Sequence, residues 1–118
     1  MRSDQADKAY LWDMLDSALA IQDFVRGKTP HDYLTNRMLR GAVERNIEII
    51  GEAARRVSDR MKAAHPEIPW QGIIGQRNIL AHEYGEVRHE IVWHVASDRI
   101  PELISAIQAI LPREKQDD

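Results

Sequence analysis

Cysteine is absent from these 118 residues, so neither disulfides nor a thiolate metal site can hold the fold, and nothing points to an oxidising compartment. Aromatic residues are scarce, at 6%, which together with 43% hydrophobic and 30% charged residues suits a helical domain better than a sheet protein or a disordered tail. No run of about 18 apolar residues occurs, and the stretch from Met1 to Gln5 has no apolar leader, so the expected location is the cytoplasm, off the membrane. A basic excess is missing as well. The formal net charge is −3, so a nucleic-acid partner requires basic groups gathered locally.

What is present is helical periodicity. Leu11, Met14, Leu15, Ala18, Ile21 and Val25 recur at spacings of three and four, predicting one helix over about 3–26 that Gly27 stops. Thr29-Pro30-His31-Asp32 reads as a helix start, with Thr as N-cap, Pro first and an acid third. Val43, Ile47, Ile50, Ala54, Val57 and Met61 then form a bundle-like seam, predicting a second helix from Pro30 to Ala64, with Gly41 or Gly51 as a bend or a close helix contact. His65-Pro66-Glu67-Ile68-Pro69 is a corner, since neither proline donates a backbone hydrogen bond. A third helix is expected to about Tyr84, ended by Gly85, and a fourth from about Arg88 to Leu111, kinked or split by Pro101 and ended by Pro112. The expected architecture is all-α, a four- to five-helix bundle formed by one domain over 1–112, with a polar tail at 113–118.

Chemistry concentrates in Arg77-Asn78-Ile79-Leu80-Ala81-His82-Glu83-Tyr84. At about 100° per helical residue, Asn78 and His82 share a face, Tyr84 lies almost above Arg77, and Arg77 and His82 stand about 140° apart. One helix cannot aim both of the latter at one small group unless the turn near Gly85 bends His82 round or a second subunit completes the site, which hints at a dimer. The residue types suit attack of a ribose 2′-hydroxyl on its own phosphodiester. Histidine, with an ordinary pKa of about 6.5, can take or give a proton, and arginine offers a charged planar fork to phosphate oxygens. Asn78 can orient His82 or substrate, and Tyr84 can stack on a base or donate to phosphate. By residue type alone, Arg77 on a surface carboxylate and His82 capping a helix end is the favoured reading.

The segment Arg77-x-x-x-x-His82-x-Tyr84, with Asn78 after the arginine, resembles the signature of the HepT-like toxins of the HEPN superfamily. Arg45-Asn-Ile-Glu-Ile-Ile-Gly-Glu-Ala-Ala54, His65-Pro-Glu-Ile-Pro-Trp70, Val92-Trp93 and Ile100-Pro101-Glu-Leu103 follow the family's order and spacing, so the resemblance covers nearly the whole chain. It implies a homodimer of helical bundles and a metal-independent endoribonuclease toxin, with Arg77 and His82 catalytic, Asn78 supporting, and no cofactor. It further implies pairing with a nucleotidyltransferase antitoxin of the MNT type, which silences the toxin by AMPylation of Tyr84, in the manner of a type II or type VII toxin–antitoxin pair. The alternative is a non-catalytic helical subunit that serves only as docking partner and substrate of the nucleotidyltransferase.

Other features read more plainly. Glu52 can pair with Arg77, contact a partner or stand solvated, while His89 and His94, five apart, point to different helix faces and make a poor metal pair. Gly72 and Gly75 suggest close helix packing, and Trp12, Trp70 and Trp93 suggest core or interface anchors. Between Arg37 and Lys62 seven basic residues face four acidic ones, an excess of three that could supply an RNA footprint.

Overall fold

The first helix, α1 (Arg2–Val25), forms as its periodicity predicts, and Gly27, at φ +73°, turns the chain where a residue with a side chain would be strained. The computed structural model describes the backbone of residues 2–116 and the side chains of residues 5–111. Leu11, Met14, Leu15, Ala18 and Ile21 of α1 are buried, and they meet the seam of the second helical segment.

That segment is three helices: α2 (Pro30–Thr35), α3 (Arg37–Arg56) and α4 (Asp59–Ala64). Thr29 caps α2 in a reciprocal box with Asp32, and the Thr29 backbone N–H holds the Asp32 carboxyl below its ordinary pKa. The single long helix expected over 30–64 breaks at Asn36 and Val57, not at a glycine. The cause is side-chain competition for backbone donors: Asn36 Oδ1 accepts from the N–H of Leu39 at 3.0 Å, and Ser58 Oγ accepts from that of Met61 at 3.1 Å. Both breaks preserve the apolar seam, because Val43, Ile47, Ile50, Ala54, Val57 and Met61 are all buried.

The second break is tied to α1. Asp7, only 2% exposed, accepts from the Ser58 N–H at 2.8 Å and from the Ser58 hydroxyl at 2.7 Å. One carboxylate thus joins the start of the chain to the α3–α4 corner.

After the proline corner, α5 (Trp70–His82) opens on a buried tryptophan whose Nε1–H donates to the His65 carbonyl at 3.0 Å. It ends two residues earlier than expected, because Glu83 and Tyr84 are extended. Gly85, at φ +67°, stands not as a stop for α5 but as the first residue of α6 (Gly85–His94), which therefore begins three residues before Arg88. The split near Pro101 takes the form of a π-helical turn over Val95–Arg99 leading into α7 (Ile100–Gln116). Proline cannot donate to the carbonyl four residues back, and the turn absorbs one extra residue, with the Ile100 N–H reaching back five residues to Val95. Pro112 does not end the last helix: its fixed φ is compatible with helix, and α7 continues to Gln116, so most of the expected tail is helical, while residues 117 and 118 lie outside the described residues. Among the described residues there is no strand, and no helix is long and apolar enough to cross a membrane.

A polar cluster beneath α6 escapes sequence reading altogether. Tyr33 is fully buried, with its ring edge-on to His89 at 6.4 Å and tilted against Trp93 at 5.6 Å. Burial pushes its phenol well above the ordinary tyrosine pKa, and the nearby Glu44 charge adds to this. Arg88 of α6 pairs with Glu44 of α3, both side chains largely buried. Arg40 donates to the Leu34 carbonyl at 2.6 Å, satisfying the end of α2. Tyr33 Oη, Arg88 Nε and His89 Nδ1 are buried with no hydrogen-bond partner.

Two outcomes follow. Ser58→Ala removes a helix cap and a partner of a buried carboxylate together, so urea unfolding should show a loss of about 2 kcal/mol, largely restored by Ser58→Thr. His89 behaves differently. Burial lowers its pKa, the Arg40 charge adds to this, Glu44 opposes it, and Arg88 contributes to the lowering. A base with a depressed folded pKa takes up a proton on unfolding, so its contribution to stability is complete above about pH 6.5 and declines as the pH falls below that value. Unfolding midpoints between pH 8 and pH 5 should therefore fall more steeply for the native chain than for His89→Phe, and parallel curves would exclude this role.

Candidate functional site

The motif occupies the second half of α5 and the corner after it. The N-terminal half of α5 is anchored by buried Trp70 and Ile73, with Ile74 and Leu80 partly buried against the core. Beyond Gln76 one flank of the helix leaves the body, exposing Arg77, Asn78, Ala81 and His82. Among the described residues Arg77, Asn78, His82 and Tyr84 make no side-chain hydrogen bond or ion pair. Asn78 and His82 share a face one turn apart, but Asn78 does not bond to His82. Among the described residues no surface carboxylate holds Arg77.

Helix α5 stays helical through its last residue, His82, so no local bend brings His82 round to Arg77, and the two remain about 140° apart and about 7.5 Å along the axis. Tyr84 is a correction. It does not lie above Arg77, because the helix has ended; it is the N-cap of α6, at φ −127° and ψ 154°, and is 76% exposed. Its ring, Val87 and the imidazole of His82 all face solvent around the glycine corner. A groove of about 560 Å³ lies between α5 and α7, lined by residues including Ile50, Ile73, Gln76, His94 and Leu103, yet Arg77, His82 and Tyr84 do not line it. The motif is an open surface, and among the described residues nothing encloses the space around Arg77.

Helix α3 supports the motif from behind. At Gly51 a β-carbon would meet the Ile73 carbonyl oxygen at 3.3 Å and Arg77 Cγ at 4.0 Å, so the two helices touch nearly backbone to backbone there. Among the described residues, Gly41, Gly72 and Gly75 have no neighbouring element within 4 Å of the same position, which corrects the expectation of close packing at the last two. Glu52 does not pair with Arg77. Its carboxylate accepts from Arg55 at 2.8 Å and Arg56 at 3.3 Å, residues one turn away on its own helix. The hydrogen bond from Arg55 is the main reason its pKa lies below the ordinary value.

The basic run over 37–62 is correspondingly thinner than its sequence count. Arg40 is spent on α2 carbonyls, Arg55 and Arg56 on Glu52, and Lys62 donates to the Arg55 carbonyl at 3.4 Å. Arg37 and Arg45 are exposed without a side-chain partner among the described residues. The histidines scatter: His65 pairs with Glu67, His94 with Asp98, and His89 is in the buried cluster. Trp70 is a core anchor, Trp93 is partly buried against Tyr33, and Trp12 is 40% exposed. The Glu44–Arg88 pair had no signal in the sequence, being 44 residues apart.

A family model described as "Ribonuclease HepT-like" matches residues 14–110, a span that runs from α1 to α7 and includes the whole motif. A Methanocaldococcus jannaschii protein named "Putative RNase" is 32% identical over 103 residues, covering 87% of this chain and 94% of that one. Another of that name, from Caldanaerobacter subterraneus, is 33% identical over 92% of this chain and 96% of its own length. A Thermococcus cleftensis protein named "Probable ribonuclease HepT" is 34% identical over 84% and 90% respectively. No solved structure gives a significant match. With helices throughout the described residues, an exposed Arg77–His82 segment and these matches over most of its length, the chain belongs to the HepT-like ribonuclease family of the HEPN superfamily.

Proposed function

We propose that this protein is an endoribonuclease toxin that cleaves RNA without a metal ion, through Arg77 and His82 of two copies meeting at a shared cleft. The observation that carries the reading is that Arg77, Asn78 and His82 stand exposed and unpartnered on a helix that directs Arg77 and His82 to different sides. Unpaired polar groups on a rigid element suit a ligand, and their divergence suits a two-fold axis, where the arginine of one copy can serve the histidine of the other.

In the proposed reaction the 2′-oxygen attacks phosphorus and the bond to the 5′-oxygen breaks. One His82 takes the 2′-hydroxyl proton while the other protonates the leaving oxygen, giving a cyclic phosphate end and a free 5′-hydroxyl. Arg77 binds the phosphate oxygens bidentately and offsets the charge that grows on them. Asn78, on the His82 face but not bonded to the imidazole, orients the ribose. The dimer should bury at least about 1,000 Å² in total, enough for a stable pair.

Regulation follows from Tyr84. A nucleotidyltransferase antitoxin bound to this corner, with ATP and its metal, would direct the phenol oxygen to the α-phosphorus. The phenolic proton passes to a base of that enzyme, pyrophosphate leaves, and Tyr84 becomes an adenylate ester. Each adenylate adds a negative charge and a bulky nucleoside beside His82, repelling the RNA phosphate and filling its space.

Purified, dimeric protein, with its mass checked by light scattering, should cut single-stranded RNA in EDTA, and His82→Ala and Arg77→Lys should each lower the rate at least about a hundredfold, the latter because an ammonium lacks the fork. Cleavage that stops in EDTA and returns with a divalent ion would overturn the metal-free mechanism. A dimer that binds the transferase but never cuts RNA would instead support the docking subunit. After co-expression with an MNT-type transferase, intact mass should rise by whole adenylate increments mapping to Tyr84, and Tyr84→Phe should gain none. Neutralisation with unchanged mass would mean inhibition by binding alone.

A further inference from the structure

We infer that Gly51 is a positioning residue for Arg77: the absence of a side chain at 51 sets how closely α5 lies on α3, and so where the Arg77 guanidinium is presented. The inference rests on the reading of Arg77 as the phosphate-binding group.

Gly51 lies within α3 with no positive φ, so conformational freedom gives no reason for glycine there, and in a helix interior glycine is less stable than alanine. The reason is steric. Of the six glycines it alone has, among the described residues, heavy atoms of a neighbouring element within 4 Å of where a β-carbon would stand, and both belong to α5. The nearer is the Ile73 carbonyl oxygen at 3.3 Å, closer than such contacts normally come. In an α-helix that carbonyl accepts the N–H four residues on, which is that of Arg77 itself. The farther is Arg77 Cγ at 4.0 Å, so the methylene stem of Arg77 packs on the bare backbone of α3 while its charged end remains in solvent. A methyl group at 51 therefore presses on the Ile73 carbonyl that holds the Arg77 N–H, while with the Arg77 stem it makes only an ordinary contact. Neighbouring charge does not compensate, since Glu52 is already engaged by Arg55 and Arg56.

The experiment compares Gly51→Ala and Gly51→Val with Gly41→Ala, whose β-carbon meets nothing. Steady-state RNA cleavage, thermal melting and the NMR resonance of the Arg77 side-chain Nε–H are measured on each. Because sub-ångström misplacement of a catalytic group is costly, Gly51→Ala should lower kcat about tenfold with KM changed less than about twofold, and Gly51→Val should lower it further. The melting temperature of Gly51→Ala should stay close to native, its Arg77 Nε–H resonance should shift while that of Arg37 does not, and Gly41→Ala should match native protein throughout. A native rate in Gly51→Ala, or a loss explained by melting alone with an unmoved Arg77 resonance, overturns the inference. If native protein cleaves no RNA, the ribonuclease reading fails by itself; the Arg77 resonance then still decides whether Gly51 positions that side chain.

Discussion

The burial of one stripe of α3 against α1 is the constraint on which the remaining contacts depend. Val43, Ile47, Ile50 and Ala54 of α3 are buried together with Leu11, Met14, Ala18 and Ile21 of α1, and at about 25 cal/mol per Å² of apolar surface this packing is the main stabilising term. Once α3 is fixed by that stripe, its other flanks are committed as well: Gly51 receives α5, and Glu44 receives Arg88 of α6. A helix with three neighbours cannot rotate to improve one contact without spoiling the others. The motif therefore stands on a rigid base although its own side chains have no partners, which is the arrangement a site needs if its polar groups are to be free for a ligand.

Charge is distributed in keeping with this. Most basic groups of α3 and α4 are tied to local carboxylates or carbonyls, at surface positions where an ion pair contributes about 0–1 kcal/mol. Those pairs add little stability, but they remove charge from the outward field. Among the described residues of α3 and α5, Arg37, Arg45 and Arg77 are cations without a side-chain partner, so positive charge there is focused in a few places instead of spread over a basic face.

The sequence discloses what is periodic and local. The buried seam from Val43 to Met61, the Thr29 cap and the divergence of Arg77 and His82 around α5 are all readable from spacing and residue type. The break at Val57 is hidden for a definite reason: α4 continues the phase of α3, so the apolar period from Val43 to Met61 runs across it, while the break at Asn36 precedes the seam and is marked only by a polar cap. Gly85 misleads because a left-handed glycine fits the start of α6 as well as the end of α5. The Asp7–Ser58 bond and the Glu44–Arg88 pair join residues 51 and 44 positions apart, and no local pattern specifies them. Glu52 had two sets of cations within reach, and proximity on its own helix decided between them.

The π-helical turn at Val95–Arg99 gives the chain an unusual sensitivity to insertion and deletion. It holds one residue more than an α-helix of the same length, just before a proline that cannot close the regular bond. Loss of a single residue there would leave a smoother helix and a misassembled protein, because everything beyond would rotate by about 100° and turn Leu103, Ile104 and Ile107 away from the core they fill. Point substitutions in this turn are local events, whereas a change in its length is a change of register for the whole C-terminal helix, so descendants of this chain are free to vary the letters of the turn far more than their number.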